Sequence, residues 1–386
     1  MMDSYISNRY KNIGESLLTQ SSDPNLLYPD LVNFSIGDPD IHTDEIIVKK
    51  AFDDALKGHV HYTENLGRLK LREAIANYYY ERFKYKTSSD NIMVTTSGLH
   101  AMYLAMEATL NEGDEVIIPT PHFSLYTDQV KLARGIPVYV ETFEEEGFQL
   151  NIERLESKIT GKTRAILLNT PNNPTGTCLS RKNLEDIAEV AKKYDLIVYA
   201  DDVYTIYSYE EEFMPITALK DMGKRTISIG SFSKDYCMTG WRIGYLMGNP
   251  ELIKVAGNIN DALIYSAPSI SQQAALYALE HRHEIQPKLV EQFKERVYYA
   301  YERLKKLNNV SVMEPRGTFY LFPSIKGTGL SSMEVARILL EEAHVLVIPG
   351  NAFGQAGEGH IRLACTIELD KMKEGFDRME KLEIFR

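Results

Sequence analysis

Apolar runs of strand length alternate with longer amphipathic stretches along the middle of the chain, from about Asn91 to Met247. One amphipathic stretch, Arg181 to Tyr194, carries apolar residues at helical spacing, namely Leu184, Ile187, Ala188 and Ala191. The runs predicted to be strands are Ile92–Thr96, Val116–Ile118, Ala165–Leu168, Leu196–Ala200, Thr226–Gly230 and Ile243–Met247. Because strands that alternate with helices form a largely parallel sheet covered on both faces, the pattern predicts an α/β fold.

The chain beyond about residue 280 has a different pattern. A long charged stretch from His281 to Leu307 predicts a helix, and it is followed by short apolar runs and one further helical stretch near Met333 to Glu342. This order predicts a smaller α+β domain after a larger one. We therefore expect an N-terminal arm or part of the small domain at 1–40, a large domain at 41–285 and a small C-terminal domain at 286–386.

Charge and composition exclude several classes of protein. The 43 Lys and Arg against 54 Asp and Glu give a formal net charge of −11, which argues against nucleic-acid binding. No apolar run approaches the ~20 residues that cross a bilayer, and the first residues lack a secretory signal, so a cytoplasmic location is expected. The three cysteines are far apart and the nine histidines form no cluster with them, so neither a disulfide framework nor a metal site is expected.

Residues that carry chemistry follow five of the predicted strands at their carboxyl ends, where open α/β sheets bind ligands. The turn Ser97 to His100 opens a helix and suits a phosphate, and Phe123 suits stacking on a planar ring. Asn173 lies in a proline-fixed loop, Asp201 ends a buried strand, and Lys234 has a serine three positions before it and an arginine eight after it. Each residue alone has an ordinary structural explanation, but their convergence at one sheet edge predicts a site.

A phosphate-bearing aromatic cofactor that bonds covalently to lysine needs all of these parts. Pyridoxal 5′-phosphate (PLP) condenses with a lysine amine, and its protonated ring withdraws electrons from the substrate. An acidic partner keeps the ring nitrogen protonated, while a hydroxyl, an arginine and turn amides hold the phosphate. A tyrosine hydroxyl and an asparagine amide suit the phenolate oxygen of the ring. The residue set therefore predicts a PLP site.

Several motifs resemble those of the class I/II aminotransferases of PLP fold type I, the group of aspartate and aromatic aminotransferases. The stretch Ser231 to Tyr245 is similar to the lysine signature of that family, and Pro171 to Gly176 and Ala200 to Tyr204 resemble two further motifs in the same order. Segments at Tyr62 to Ile75 and Pro349 to Leu363 extend the resemblance over nearly the whole chain. It implies a mostly parallel seven-stranded sheet between helices, joined to a smaller α+β domain.

The resemblance also implies a role for each residue of the site. Lys234 would form the Schiff base and move the proton, Asp201 would pair with the ring nitrogen, and Tyr204 with Asn173 would contact the phenolic oxygen. The phosphate would be held by Ser231, Arg242, the backbone amides of Gly98, Leu99 and His100, and Tyr62 of the partner subunit. Phe123 would stack on the ring, and the substrate α-carboxylate would be bound by Arg362, Asn173 and the backbone near Gly37. Because Tyr62 acts across an interface in this family, a homodimer with shared active sites is implied.

The turn at Leu99 and His100 bears on the identity of the substrate. Relatives specific for aspartate tend to carry a Gly-Gly-Lys type of turn at this position. Leu99 and His100 offer no evident cation that could bind the distal, side-chain carboxylate of such a substrate. This favours an aromatic or other neutral amino acid as donor, with aspartate as a further option and 2-oxoglutarate or a similar oxo acid as acceptor. Asp202 and Asp38, which stand where relatives commonly have glutamate, keep the charge.

The predicted reaction is ping-pong transamination between an amino acid and a 2-oxo acid in amino acid metabolism. A C–S β-lyase of the cystathionine type would use the same cofactor residues, and release of pyruvate and ammonia without an oxo acid would distinguish it. A regulatory protein with an aminotransferase-like domain is the alternative outside enzymes. It would require a DNA-binding domain upstream, and none is expected because the resemblance starts near Phe34 and the net charge is −11.

Overall fold

A computed structural model describes residues 5, 7 and 28–386 of the chain. The arm predicted for residues 1–40 lies mostly outside this part, in residues 1–4, 6 and 8–27. The helices are α1 (Glu45–Leu56), α2 (Leu69–Phe83), α3 (Gly98–Thr109), α4 (Leu125–Leu132), α5 (Ile152–Ser157), α6 (Arg181–Lys193), α7 (Phe232–Asp235), α8 (Pro250–Asp261), α9 (Ser269–Glu280), α10 (Arg282–Leu304), α11 (Ser332–Ala343) and α12 (Leu369–Met379). The strands are β1 (Val32–Asn33), β2 (Ile92–Thr95), β3 (Glu115–Thr120), β4 (Ile136–Glu141), β5 (Thr163–Asn169), β6 (Ile197–Asp201), β7 (Thr226–Ser231), β8 (Gly244–Met247), β9 (Tyr320–Leu321), β10 (Val345–Leu346), β11 (Ile348–Pro349) and β12 (Ile361–Ala364).

Seven strands form the central sheet in the order β2-β8-β7-β6-β5-β3-β4, which confirms the predicted mostly parallel α/β sheet. Strands β7, β6, β5, β3 and β4 pair in parallel, whereas β8 is antiparallel to both of its neighbours. The register places Asn169 opposite Asp201 and Ser231 opposite Gly244. The ends of β5, β6 and β7 therefore lie side by side at one edge of the sheet.

Helices cover both faces of the central sheet. Alternate residues of a strand point to opposite sides, and here the residues on both sides are apolar and pack against helices. Val116 and Ile118 of β3 belong to an apolar cluster with residues of α3 and α8, while Ile117 belongs to a second cluster with residues of α6. All three side chains are fully buried, and such burial contributes roughly 1.5–3 kcal/mol for each. Because both faces of these strands are buried, their sequences are continuous apolar runs and do not alternate between apolar and polar residues.

Two small sheets lie in the smaller α+β part. β1 pairs in parallel with β10, and β11, β12 and β9 form an antiparallel sheet. Helices α10, α11 and α12 supply buried residues, among them Phe293, Leu339 and Phe376, to the same apolar cluster as Phe319 and Leu363 of this part. Helix α10 runs without interruption past residue 285, where the large domain is predicted to end. The domain boundaries stay a prediction.

The described residues contain no helix that is both long and apolar enough to span a membrane. Within the same residues no group of three or more histidine, cysteine, aspartate or glutamate side chains could hold a metal ion.

Candidate active site

A cavity of about 360 Å³ lies where the ends of β5, β6 and β7 meet the segment after β1 and the small sheet of β9 and β12. Predicted site residues that line it are Gly37, Gly98, Leu99, Phe123, Asn173, Asp201, Tyr204, Ser231, Lys234, Arg242 and Arg362. A larger cavity of about 780 Å³, beside α6, contains none of the predicted residues. The structure therefore brings together nearly the whole predicted set at one place, and the two exceptions are His100 and Tyr62.

Lys234 lies in the single helical turn α7, directly after β7. Ser231 begins this turn, because its Oγ accepts a hydrogen bond from the backbone N–H of Ser233 at 3.1 Å. The lysine Nζ donates to the backbone oxygen of Gly37 at 2.5 Å. A Cβ atom on Gly37 would overlap the hydroxyl of Tyr320, so glycine lets this segment and the tyrosine lie against each other without a shift.

The amine of Lys234 is prepared to act as a nucleophile. Burial lowers the pKa of Lys234 to about 8, and the positive charges of Arg362 and Arg242 act in the same direction against the opposing effect of Asp38. At pH 7 a lysine with this pKa is unprotonated in roughly one molecule in ten, against about one in 3,000 for an ordinary lysine. The unprotonated amine is the form that attacks a carbonyl carbon.

Asp201, the last residue of β6, has a buried carboxylate, and one of its two oxygens accepts no hydrogen bond from the described residues. Its Oδ2 accepts a hydrogen bond from the hydroxyl of Tyr126, whereas its Oδ1 is buried and has no hydrogen-bond partner among the described residues. Burial raises the pKa of Asp201 to about 6, and the bond from Tyr126 partly offsets this rise. A buried acceptor without a donor is costly, and a protonated ring nitrogen is a donor of the kind it lacks. The carboxylate therefore fits PLP.

The start of α3 and the segment before β8 supply donors at the other end of the cavity. The amides of Gly98 and Leu99 lie in the first turn of α3, where backbone N–H groups have no acceptor within the helix and the helix dipole favours an anion. The amide of His100 differs, because it donates to Ser97 Oγ at 3.1 Å. Arg242 is exposed, and its guanidinium donates to a backbone oxygen at 2.8 Å. This arrangement suits a phosphate group.

Arg362 of β12 brings a second cation to the cavity and is only 4% exposed. One guanidinium nitrogen donates to Asn173 Oδ1 at 2.9 Å and another to the backbone oxygen of Ser35, whereas Nε is buried without a partner in the described part of the chain. The rings of Tyr320 and Phe353 lie 4.7 and 4.8 Å from the guanidinium carbon. A buried guanidinium that no carboxylate of the described residues pairs with suits an anionic group of the substrate.

Two residues of the cavity wall, Tyr126 and Tyr320, were not singled out from the sequence. Tyr126 lies three positions after Phe123 in the sequence, and the two ring centroids are 5.5 Å apart. Its closeness to Phe123 in the sequence is the signal from which Tyr126 could have been predicted. Tyr320 belongs to an apolar run, and its hydroxyl lies 3.2 Å from that of Tyr204. An aromatic residue in such a run is more often a core residue, so the sequence contained no signal for Tyr320.

Tyr62 and His100 do not line the cavity. Tyr62 is 86% exposed, contacts Tyr265 edge to face at 5.5 Å between ring centroids, and lies in a separate depression of the surface. The His100 ring is held by the hydroxyl of Thr96 at 3.1 Å from Nδ1. The predicted role of Tyr62 in the site of the partner subunit stays a prediction.

Comparison with known proteins places these features in a family. Residues 29–379 match the family model described as aminotransferase class I and II. The chain is 38% identical over 360 residues to aromatic-amino-acid aminotransferase 2 of Thermococcus litoralis, covering 91% of each chain. It is 39% identical over 363 residues to an aspartate aminotransferase of Pyrococcus abyssi, covering 92% of each. The crystal structure of an aromatic aminotransferase from Pyrococcus horikoshii superposes with a TM-score of 0.89 at 37% identity, covering 93% of this chain and 97% of that one.

Proposed function

The chain belongs to the aminotransferase class I and II family, and on that premise we propose that it transfers the amino group of a neutral, preferably aromatic, amino acid to 2-oxoglutarate or a similar 2-oxo acid. It is a PLP-dependent aminotransferase. The observation that carries the substrate proposal is the charge of the cavity wall: its described residues offer no cation beyond those needed for the cofactor and the α-carboxylate. A cytoplasmic location and a part in amino acid metabolism belong to the same proposal.

The predicted site residues of the wall receive the following roles in this proposal. When bound, PLP supplies an electron sink for the charge that develops at the substrate α-carbon. Lys234 would hold the cofactor covalently until the amino acid displaces it. Its released Nζ would then move the proton of the α-carbon to the former aldehyde carbon of the cofactor. Asp201 binds the ring nitrogen, and Arg362 with Asn173 binds the α-carboxylate. The remaining contacts to the cofactor come from Tyr204, Phe123, Ser231, Arg242 and the amides of Gly98 and Leu99.

The charge of the wall argues for a neutral donor. Among the described residues, the cationic side chains that line the cavity are Lys234, Arg242 and Arg362, and each already has a role. Asp38 adds a negative charge, and the exposed side chain of Leu99 adds apolar surface. A distal carboxylate would lose hydration here and meet a like charge, whereas an aromatic side chain would bury apolar area.

We expect phenylalanine or tyrosine to react with 2-oxoglutarate with a kcat/KM at least about tenfold above that of aspartate. The measurement is steady-state kinetics on a panel of amino acids with PLP-loaded protein. Asp38→Asn is the matched variant, and it should raise the kcat/KM of aspartate relative to that of phenylalanine, because it removes the like charge. A higher kcat/KM for aspartate than for the aromatic donors would contradict the substrate proposal. Pyruvate and ammonia released from cystathionine without an oxo acid would instead indicate a β-lyase.

An exposed apolar surface around Tyr62 supports the proposal of a homodimer. Val60 lines the same depression as Tyr62, and Tyr265 contacts the Tyr62 ring. Phe52 and Leu56 lie one turn apart on α1, and Leu56 is 87% exposed. Exposed apolar side chains grouped in this way mark a protein interface more often than free surface. In the proposed dimer this surface meets its own copy, and Tyr62 reaches the phosphate group in the cavity of the partner subunit.

Hybrid dimers test this shared site. Tyr62→Ala should weaken PLP binding by about tenfold or more, because a hydrogen bond to a charged phosphate is lost. A hybrid of Tyr62→Ala with Lys234→Ala, isolated through two different affinity tags, should contain one site with both native residues and one with neither. At limiting PLP the hybrid should therefore regain about half of the wild-type activity per dimer. Tyr80→Ala, which removes another exposed tyrosine, is the control. No recovery in the hybrid would contradict the shared site.

A further inference from the structure

Tyr320 touches three parts of the cavity that come from distant segments of the chain. Its hydroxyl lies 3.2 Å from that of Tyr204, which follows β6. Its ring lies 4.7 Å from the guanidinium carbon of Arg362 in β12. Its hydroxyl also lies against Gly37, where a Cβ atom would overlap it. Tyr320 is 2% exposed. Its contacts with Tyr204 and Arg362 place it between a group proposed for the cofactor and one proposed for the substrate.

The turn before Tyr320 is held in an unusual conformation. Thr318 is fully buried with φ of 57°, a left-handed value that is rare for a β-branched residue. Its Oγ1 accepts the backbone N–H of Tyr320 at 3.0 Å, and its own N–H donates to the backbone oxygen of Tyr207 at 2.9 Å. The hydroxyl of Tyr209 donates to the Thr318 carbonyl at 2.5 Å. The surroundings therefore fix the direction of the Tyr320 side chain.

The pair of hydroxyls has one favoured order of donation. Burial raises the pKa of both tyrosines. At Tyr320 the main effect that opposes this rise is the cation of Arg362, whose guanidinium carbon lies 4.7 Å from the ring. A cation beside a hydroxyl makes that hydroxyl the better donor, and this position of Arg362 favours donation from Tyr320 to Tyr204. The proton of Tyr204 is then directed away from Tyr320 and is available to an acceptor in the cavity.

We propose that Tyr320 is a positioning residue that joins the two halves of the site: its ring supports the guanidinium of Arg362, and its hydroxyl directs the hydroxyl of Tyr204 toward the phenolic oxygen of the cofactor. This inference rests on the proposed function of the cavity. It separates the two contributions of one side chain, because the hydroxyl acts on the cofactor and the ring acts on the carboxylate of the substrate.

Tyr320→Phe tests the hydroxyl alone. The hydroxyl of Tyr204, when directed at the phenolic oxygen, stabilises the unprotonated form of that oxygen. Tyr320→Phe removes the bond that directs it, so the pH midpoint of the change in visible absorption of the PLP-loaded protein should rise. The expected rise is about 0.4 to 1 pH unit, which corresponds to one neutral hydrogen bond. The matched control is Tyr199→Phe, which removes the hydroxyl bonded to Thr109 at 2.6 Å, outside the cavity, and should leave the midpoint unchanged.

Tyr320→Leu tests the ring. The probe is 3-phenylpropionate, a carboxylate without an amino group, whose binding to the PLP-loaded protein is measured by inhibition and by the change in absorption. Tyr320→Phe keeps the ring and should bind the probe within about twofold of wild type, while Tyr320→Leu should bind it about three- to twentyfold more weakly.

Four outcomes decide the inference. A raised midpoint in Tyr320→Phe together with weaker probe binding in Tyr320→Leu supports it. A midpoint equal to that of wild type and Tyr199→Phe overturns it, and so does equal probe binding by Tyr320→Leu and Tyr320→Phe. Failure of the wild-type protein to develop visible absorption with PLP would overturn the inference by removing the proposed function on which it rests.

Discussion

Lys234→Ala is expected to abolish covalent attachment of PLP and to lower transamination by a factor of at least about 10⁴, because nucleophile and proton carrier are lost together. Borohydride reduction of the PLP-loaded wild type followed by peptide mass spectrometry should place the cofactor on the peptide that contains Lys234. The same treatment of the variant should label no peptide. The variant should fold at least as stably as wild type, because it loses a buried cation.

Lys254→Ala provides the control for this experiment, since Lys254 is an exposed lysine of α8 outside the cavity. It should retain both the label on Lys234 and the wild-type rate. Label on a different lysine of the wild type, or full activity of Lys234→Ala, would contradict the assignment of the attachment site.

The second large effect is expected for Asp201→Asn, which keeps the size of the side chain and removes its charge. We expect kcat/KM to fall by about 10² to 10⁴, the range for leaving a buried cation without its partner. PLP should also dissociate faster from the variant. Steady-state kinetics and the rate of cofactor loss measure the two effects.

The neighbouring carboxyl group supplies the control for Asp201. Asp202 is buried beside it but does not line the cavity, and burial raises its pKa well above the ordinary value. Asp202→Asn therefore changes a buried carboxyl group that does not line the cavity, and its kcat/KM should stay within about tenfold of wild type. An equal loss in the two variants would show that Asp201 has no special role.

The pH dependence of PLP binding provides a further test of the role of Asp201. With a pKa of about 6 in the cofactor-free protein, its carboxyl group becomes protonated as the pH falls through 6 and no longer accepts the ring N–H. PLP affinity of the wild type should therefore decrease below about pH 6, by up to about tenfold per pH unit. Titration of the phosphate group of PLP changes the affinity of both proteins. The effect of the Asp201 carboxylate is therefore the amount by which PLP affinity depends more steeply on pH in the wild type than in Asp201→Asn.

The sequence predicted the sheet and most of the cavity because both depend on strand ends. Apolar runs locate strands, and the residues after parallel strands share an edge, so Asn173, Asp201 and Lys234 could be grouped before any coordinates. Arg362 lies in a different sheet, and no periodicity indicates that this sheet faces the same cavity. It was found through the family resemblance alone.

Other features could not be read from residue patterns. The hydroxyls of Tyr320 and Tyr126 contribute to the site through contacts with Tyr204 and Asp201, which are far away in the sequence. From the sequence alone, the aromatic rings of both residues are predicted to belong to the apolar core. The orientation of β8 was also hidden, because an apolar run has the same pattern in either direction. The amide of His100 was expected to face the phosphate, but a local bond to Ser97 uses it, and such side-chain caps depend on backbone angles.

The reversed direction of β8 accounts for the compactness of the lysine motif. A strand parallel to β7 would have to start at the far side of the sheet, which requires a crossover of a dozen residues or more. Because β8 is antiparallel, Gly244 pairs with Ser231 at the near side, and the chain returns there after one tight excursion. Ser231, Lys234 and Arg242 are therefore held close together by one short segment. An insertion between Lys234 and Arg242 would separate the residue proposed to bind the aldehyde from one proposed to bind the phosphate.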